Sequence, residues 1–111
     1  MIPKEILEEI KDLDYVHGVL LIGNDGLVEY SSLPEDDLNT ESLGARLSII
    51  LNSISEVIKD IYNENTECIF IKAENHGIQL FSKDGSILAI LFKGDDENIY
   101  KILPLIKEIL K

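Results

Sequence analysis

A single cysteine, Cys68, occurs in the 111 residues, which excludes an internal disulfide and any cysteine-rich metal site. Basic residues are scarce too. Ten lysines and arginines stand against 21 acidic residues, and the formal net charge of -11 sets up a field that repels phosphate backbones and anionic headgroups. Neither nucleic acid nor direct membrane insertion is expected. The longest apolar runs, Val16–Ile22 and Ile87–Phe92, fall far short of the roughly 20 residues that a membrane-spanning helix needs. No signal-peptide pattern precedes the first helical segment, so a cytoplasmic location is expected.

Catalytic constellations are also missing. The two histidines, His17 and His76, each precede a glycine, and no His-x-x-x-His or Cys-x-x-Cys spacing occurs, so no metal site is assigned. Gly23-Asn24-Asp25-Gly26 lacks the Lys and Ser or Thr that follow in a phosphate loop and leads into a strand pattern, which makes it a hairpin turn. The acidic runs Glu35-Asp36-Asp37 and Asp95-Asp96-Glu97 lack the alternating ligands of a calcium loop and suit helix starts instead. A nucleophilic Cys68 would need a histidine partner, which His17 or His76 would supply only by chance of folding, so it is expected as a small buried apolar side chain. No catalytic, cofactor-binding or metal-ligating residue is therefore assigned, and function is expected in surfaces and partners rather than in an enzyme.

What the chain does have is an ordered succession of apolar patterns: helix, hairpin, long helix, three strands, helix. Aliphatic residues are abundant enough for one domain over residues 1–111 to bury a core. After Pro3, the residues Ile6, Leu7, Ile10 and Leu13 recur at helical spacing. Val16–Ile22 and Ile87–Phe92, the latter within a strand Ser86–Phe92, are apolar on both faces, which places each inside a sheet covered on both sides. The more polar Leu27–Ser32 reads as an edge strand. Asn39 or Thr40 caps a helix that runs to about Tyr62, and Glu67–Ala73 and Ile78–Ser82 complete the strands. The segments 16–26 and 75–85 echo each other, matching at five of eleven positions, His17 and His76 among them. Hairpins converge on such turn chemistry, which explains the echo more simply than an ancestral repeat. Pro104 falls inside the last helical pattern, where a kink or a late helix start is expected.

The long helix carries more than one stripe. Leu43, Leu47, Ile50, Ile54, Val57, Ile58 and Ile61 fall within about 100° of arc and are expected to face the sheet. Beside them Gly44, Ser48, Leu51 and Ser55 form a mostly small-residue stripe that would admit a second helix closely; Gly inside a helix costs about 1 kcal/mol relative to Ala. Ala45, Ile49, Asn52 and Glu56 occupy the opposite side. Arg46, the one arginine, projects near the expected sheet-facing side, which argues against an arginine-finger role. The third strand is apolar on both faces, with Cys68 and Phe70 on one and Ile69 and Ile71 on the other, and an apolar edge invites pairing with a second copy.

The run Val16-His17-Gly18-Val19-Leu20-Leu21-Ile22 with Asp25-Gly26, the long second helix, the turn at Gly77 and the run Ser86-Ile87-Leu88-Ala89-Ile90-Leu91-Phe92 together resemble the Roadblock family, which holds dynein light chains and prokaryotic regulators of Ras-like GTPases. The resemblance implies an α+β fold in the order α-β-β-α-β-β-β-α: a five-stranded antiparallel sheet with the second helix on one face and the terminal helices on the other. It further implies a homodimer formed through the second helix and third strand, giving a signalling adaptor for a small Ras-like GTPase or a scaffold protein. Gly44, Ser48, Leu51 and Ser55 would then line the helix pair, Cys68, Ile69, Phe70 and Ile71 would join the sheets, and Ala45, Ile49, Asn52 and Glu56 would face the partner. Two alternatives differ in kind. One is a small-molecule sensor with a pocket near Gly18 and Ala89; the other is a structural subunit of a larger scaffold or motor complex.

Overall fold

The elements, in chain order, are α1 (Lys4–Lys11), β1 (Val16–Ile22), β2 (Val28–Ser31), α2 (Thr40–Tyr62), β3 (Cys68–Lys72), β4 (His76–Lys83), β5 (Ser86–Lys93) and α3 (Asp96–Ile109). They belong to a computed structural model that describes residues 2–34 and 39–111. The acidic run at 35–37 lies outside the described residues.

The sheet is antiparallel throughout, in the order β2-β1-β5-β4-β3. The doubly apolar β1 and β5 lie inside it and the more polar β2 forms one edge, as their compositions predict, whereas β3 forms the other edge although it is apolar on both faces. Two of the tight turns follow directly from backbone chemistry. At 23–26 the Gly23 N–H donates to the Leu27 carbonyl at 2.8 Å, the Asp25 carboxylate accepts from the Leu27 N–H at 3.0 Å, and Gly26 takes φ 83°. Between β4 and β5, Asp84 and Gly85 take φ 52° and 79°, the paired left-handed conformations of a two-residue hairpin loop.

Two apolar layers sandwich the sheet. On one face Leu7 and Ile10 of α1 and Ile99, Ile102 and Ile106 of α3 pack on Val19, Leu21, Leu88, Ile90 and Phe92. On the other, Leu47 and Leu51 of α2 pack on Leu20, Ile22, Leu80, Ile87, Ala89 and Leu91. Asn39 caps α2 by accepting from the Ser42 N–H at 3.1 Å, and Asn63 closes it in the left-handed conformation. Asp95 caps α3 in the same way as Asn39 caps α2. Helix α3 starts at Asp96 and carries Pro104 inside it, so the late start that the proline suggested does not occur.

The orientation of α2 corrects the sequence reading. Gly44, Leu47, Ser48 and Leu51 are its buried residues, whereas Ile50, Ile54, Val57 and Ile61 are exposed. The small-residue stripe does permit close approach, but to the chain's own hairpin: a Cβ built on Gly44 would lie 2.6 Å from Val28 Cγ2 and 3.7 Å from the Gly26 carbonyl. Gly44→Ala is therefore expected to destabilise. The gain of about 1 kcal/mol in helix propensity is outweighed by an overpacking cost of about 1–3 kcal/mol against a β-branched side chain that is stiff at χ1. Urea titration checks this, and adding Val28→Ala should turn the loss into a gain.

Candidate functional site

No group of three or more His, Cys, Asp or Glu side chains that could hold a metal exists among the described residues. None of their helices is long and apolar enough to cross a membrane. The features that stand out are surfaces on and beside α2.

Each turn of α2 adds one residue to each of three rows about 100–150° apart. The first row, Gly44, Leu47, Ser48 and Leu51, is closed off against the sheet: Leu51 keeps 2% of its surface and Ser48 8%. These residues cannot line a helix pair, and three of the four α2 residues expected at a dimer joint are thus reassigned to the core. The fourth, Ser55, is half-buried beside a large open groove that also takes in Asn52, Glu56, Lys59, Phe81 and Lys83. The physical reason is the closeness of the contact. Where a helix touches an edge hairpin, glycine and serine fit and isoleucine does not.

The second row holds Ile50, Ile54, Val57 and Ile61, with exposures of 39%, 40%, 49% and 64%. Four large aliphatics in line on one helix form a contiguous apolar strip, unlike scattered surface residues. Strand β3 adds apolar side chains on the same side of the sheet. Ile69 packs with the α2-side layer, so by strand alternation Ile71, 40% exposed, lies on that same side. Cys68 and Phe70 turn to the other side and pack in the layer of α1 and α3, where the Phe70 ring meets Phe92 and Tyr100 edge to face at 6.2 and 5.7 Å. Among the described residues strand β3 pairs with β4 alone, leaving its outer backbone edge open.

The third row is Ala45, Ile49, Asn52 and Glu56, all exposed. Ala45, Ile49 and Asn52 share a shallow groove of about 560 Å³ with Leu27 and Asp25 of the β1–β2 turn. The structure brings these three together and adds Leu27, 60% exposed, which the sequence pattern left unmarked because it reads as the first residue of a strand. Glu56 lies one turn on, in the neighbouring groove. Arg46 is exposed on the outer surface of α2, where its Nε donates to the Ser42 carbonyl at 3.5 Å. The expectation that it projects near the sheet fails with the reassigned face.

Both positions expected to border a sensor pocket are filled. The space above Gly18 holds the Leu33 side chain, with Leu91 beside it, and Ala89 is fully buried in the α2-side layer. Close packing accounts for both small residues.

Comparison with known proteins agrees with this architecture. Residues 3–92 match the Roadblock/LC7 domain. The uncharacterized protein MJ0311 of Methanocaldococcus jannaschii is 72% identical over 111 residues, the whole of both chains. Among solved structures, MglB of Myxococcus xanthus superposes with a TM-score of 0.78 at 12% identity, covering 96% of this chain and 89% of that one. A Roadblock/LC7 domain from Streptomyces avermitilis superposes at 0.75 and 14% identity, covering 98% and 95%.

Proposed function

The chain belongs to the Roadblock/LC7 domain family, and from that premise we propose that it is a non-enzymatic homodimeric adaptor that docks and regulates a small Ras-like GTPase in the cytoplasm. The observation that carries the reading is the solvent-open strip Ile50, Ile54, Val57 and Ile61 together with the apolar edge strand β3, whose outer edge is open among the described residues. A strip and an edge on one side of a sheet suit a two-fold partner that offers the same two features in return, because a self-complementary patch closes on itself. In such a pair the edge strands join through backbone hydrogen bonds, and the α2 strips cover each other from water.

With the second row used in pairing, the third row remains outward. Ala45, Ile49 and Leu27 offer an apolar centre next to the Asn52 amide, and Asp25, Glu41 and Glu56 rim it with negative charge. A partner that matches carries an apolar knob within a basic surround, and the net charge of -11 speeds its approach. Regulation then acts by ordering the GTPase's own switch segments. A structural subunit of a larger scaffold would use the same surfaces and differ in its partner alone.

The test is capture of, and GTP hydrolysis by, small Ras-like GTPases encoded in the same genome. Wild type is expected to retain at least one of them, and Ile49→Glu to lose that retention while its own mass in solution stays unchanged. Failure of the wild type to retain any of them overturns the GTPase reading.

A further inference from the structure

The two histidines, far apart in sequence, meet in the fold. Strands β1 and β4 run in the same direction on either side of β5: Val16 and Gly77 both pair with Phe92, and His76 pairs with Lys93. Residues at matching positions of β1 and β4 therefore lie level with each other across one strand. His17 sits at a register shift between Val16 and Gly18, a bulge of the kind that re-aims a side chain. A Cβ on Gly77 would point at the Phe70 ring in the α1 and α3 layer, so His76, one residue earlier, points to the α2 side. Both histidines are exposed, and their ring centres lie 5.9 Å apart with the planes inclined at 63°.

We propose that His17 and His76 form a two-imidazole chelate for a divalent transition metal of the zinc, nickel or copper kind, with its remaining coordination positions open. With metal–nitrogen bonds of about 2.0–2.1 Å, the metal sits about 3.2 Å from each ring centre, so two rings sharing one ion stand about 5.2 Å apart at a tetrahedral angle and about 6.4 Å at the linear limit. The observed 5.9 Å falls inside that window. The inclined rings are not stacked, and rotation about their side-chain torsions is the freedom by which one nitrogen of each would turn to a common ion. Imidazole ligates in its neutral form. Partial desolvation, then the neighbouring His76 and Lys93, hold His17 below its ordinary value, the direction that favours the neutral, ligating imidazole. The Lys93 ammonium opposes a nearby cation, while the acidic chain as a whole favours one. No third histidine, cysteine or carboxylate completes a cluster here among the described residues, so a bound ion keeps positions for water or for a ligand from another molecule.

The experiment uses the full chain without an affinity tag, titrated with zinc chloride by calorimetry and heated in the presence of zinc or of magnesium. We expect one saturable zinc site per chain and a rise in melting temperature with zinc. Magnesium, a hard cation that prefers oxygen ligands, should leave the melting temperature unchanged. His17→Gln and His76→Gln should each abolish saturable binding while keeping the wild-type circular dichroism, and binding should weaken on acidification, because protons compete with the metal for imidazole nitrogen. Absence of zinc binding in the wild type overturns the proposal. So does wild-type affinity in either variant, which would place the metal on surface carboxylates.

Discussion

Glutamate introduced together at Ile54 and Val57 is expected to reduce the species in solution from twice the chain mass to the 12.5 kDa of one chain with its fold intact. Both side chains are open to solvent in the single chain, at 40% and 49% exposure, so the charges cost the monomer little. In a two-fold pair every substitution appears twice, and four carboxylates would enter one apolar seam. Removing an unpaired carboxylate from water costs several kcal/mol, and like charges facing each other add to that. The pair should dissociate at any concentration light scattering can reach, while circular dichroism stays that of the wild type. An unchanged mass would mean that the strip is not the joint. A wild type that is already 12.5 kDa at high concentration would remove the dimer itself.

Ser48→Glu with Phe70→Glu, aimed at the small-residue stripe, would behave differently. Ser48, on the buried row of α2, retains 8% of its surface, and Phe70 is packed against Phe92 and Tyr100. Charges at these positions enter the core of each chain and unfold it, and do not simply dissociate a dimer into folded monomers.

Why the strands were legible in sequence and the face of α2 was not has a physical origin. Strand placement follows from alternation. Val16–Ile22 and Ser86–Phe92 carry apolar residues at successive positions, which is stable only with cover on both sides, and the polar Glu29-Tyr30-Ser31-Ser32 stretch fits only an edge. Helix α2 is harder because more of its circumference is apolar or small than one sheet face can absorb. Assigning the largest aliphatics to the core placed Ile50, Ile54, Val57 and Ile61 inside, yet the sheet takes the row with the smallest side chains, Gly44 and Ser48, because the helix comes within a methyl's reach of Val28. One signal was present. Gly44, Leu47, Ser48 and Leu51 are themselves spaced as one helical face, and a mid-helix glycine is retained where something lies too close for a Cβ. The histidine pair was hidden by its separation along the chain, although the echo between 16–26 and 75–85 already aligned His17 with His76.

Leu51→Ala separates the two readings of α2 by where its cost arises. Leu51 keeps 2% of its surface and packs with Leu47 against the sheet within one chain. Truncating it removes that contact and leaves a cavity, a loss of about 2–5 kcal/mol, seen as a fall in melting temperature on the order of 10–20 °C. Because these contacts are internal to one chain, the same loss is expected when Leu51→Ala is placed in the single-chain Ile54→Glu, Val57→Glu background. If Leu51 instead lined the seam between two α2 helices, it would be bare in that background, and its truncation would cost well under about 1 kcal/mol there. Denaturant unfolding of the four proteins, each at two concentrations, makes the comparison. The wild type should show a midpoint that rises with concentration, because dissociation is linked to its unfolding, and so should Leu51→Ala where it still pairs. The two single-chain proteins should show no such rise, and the difference between them is the intrachain cost of Leu51.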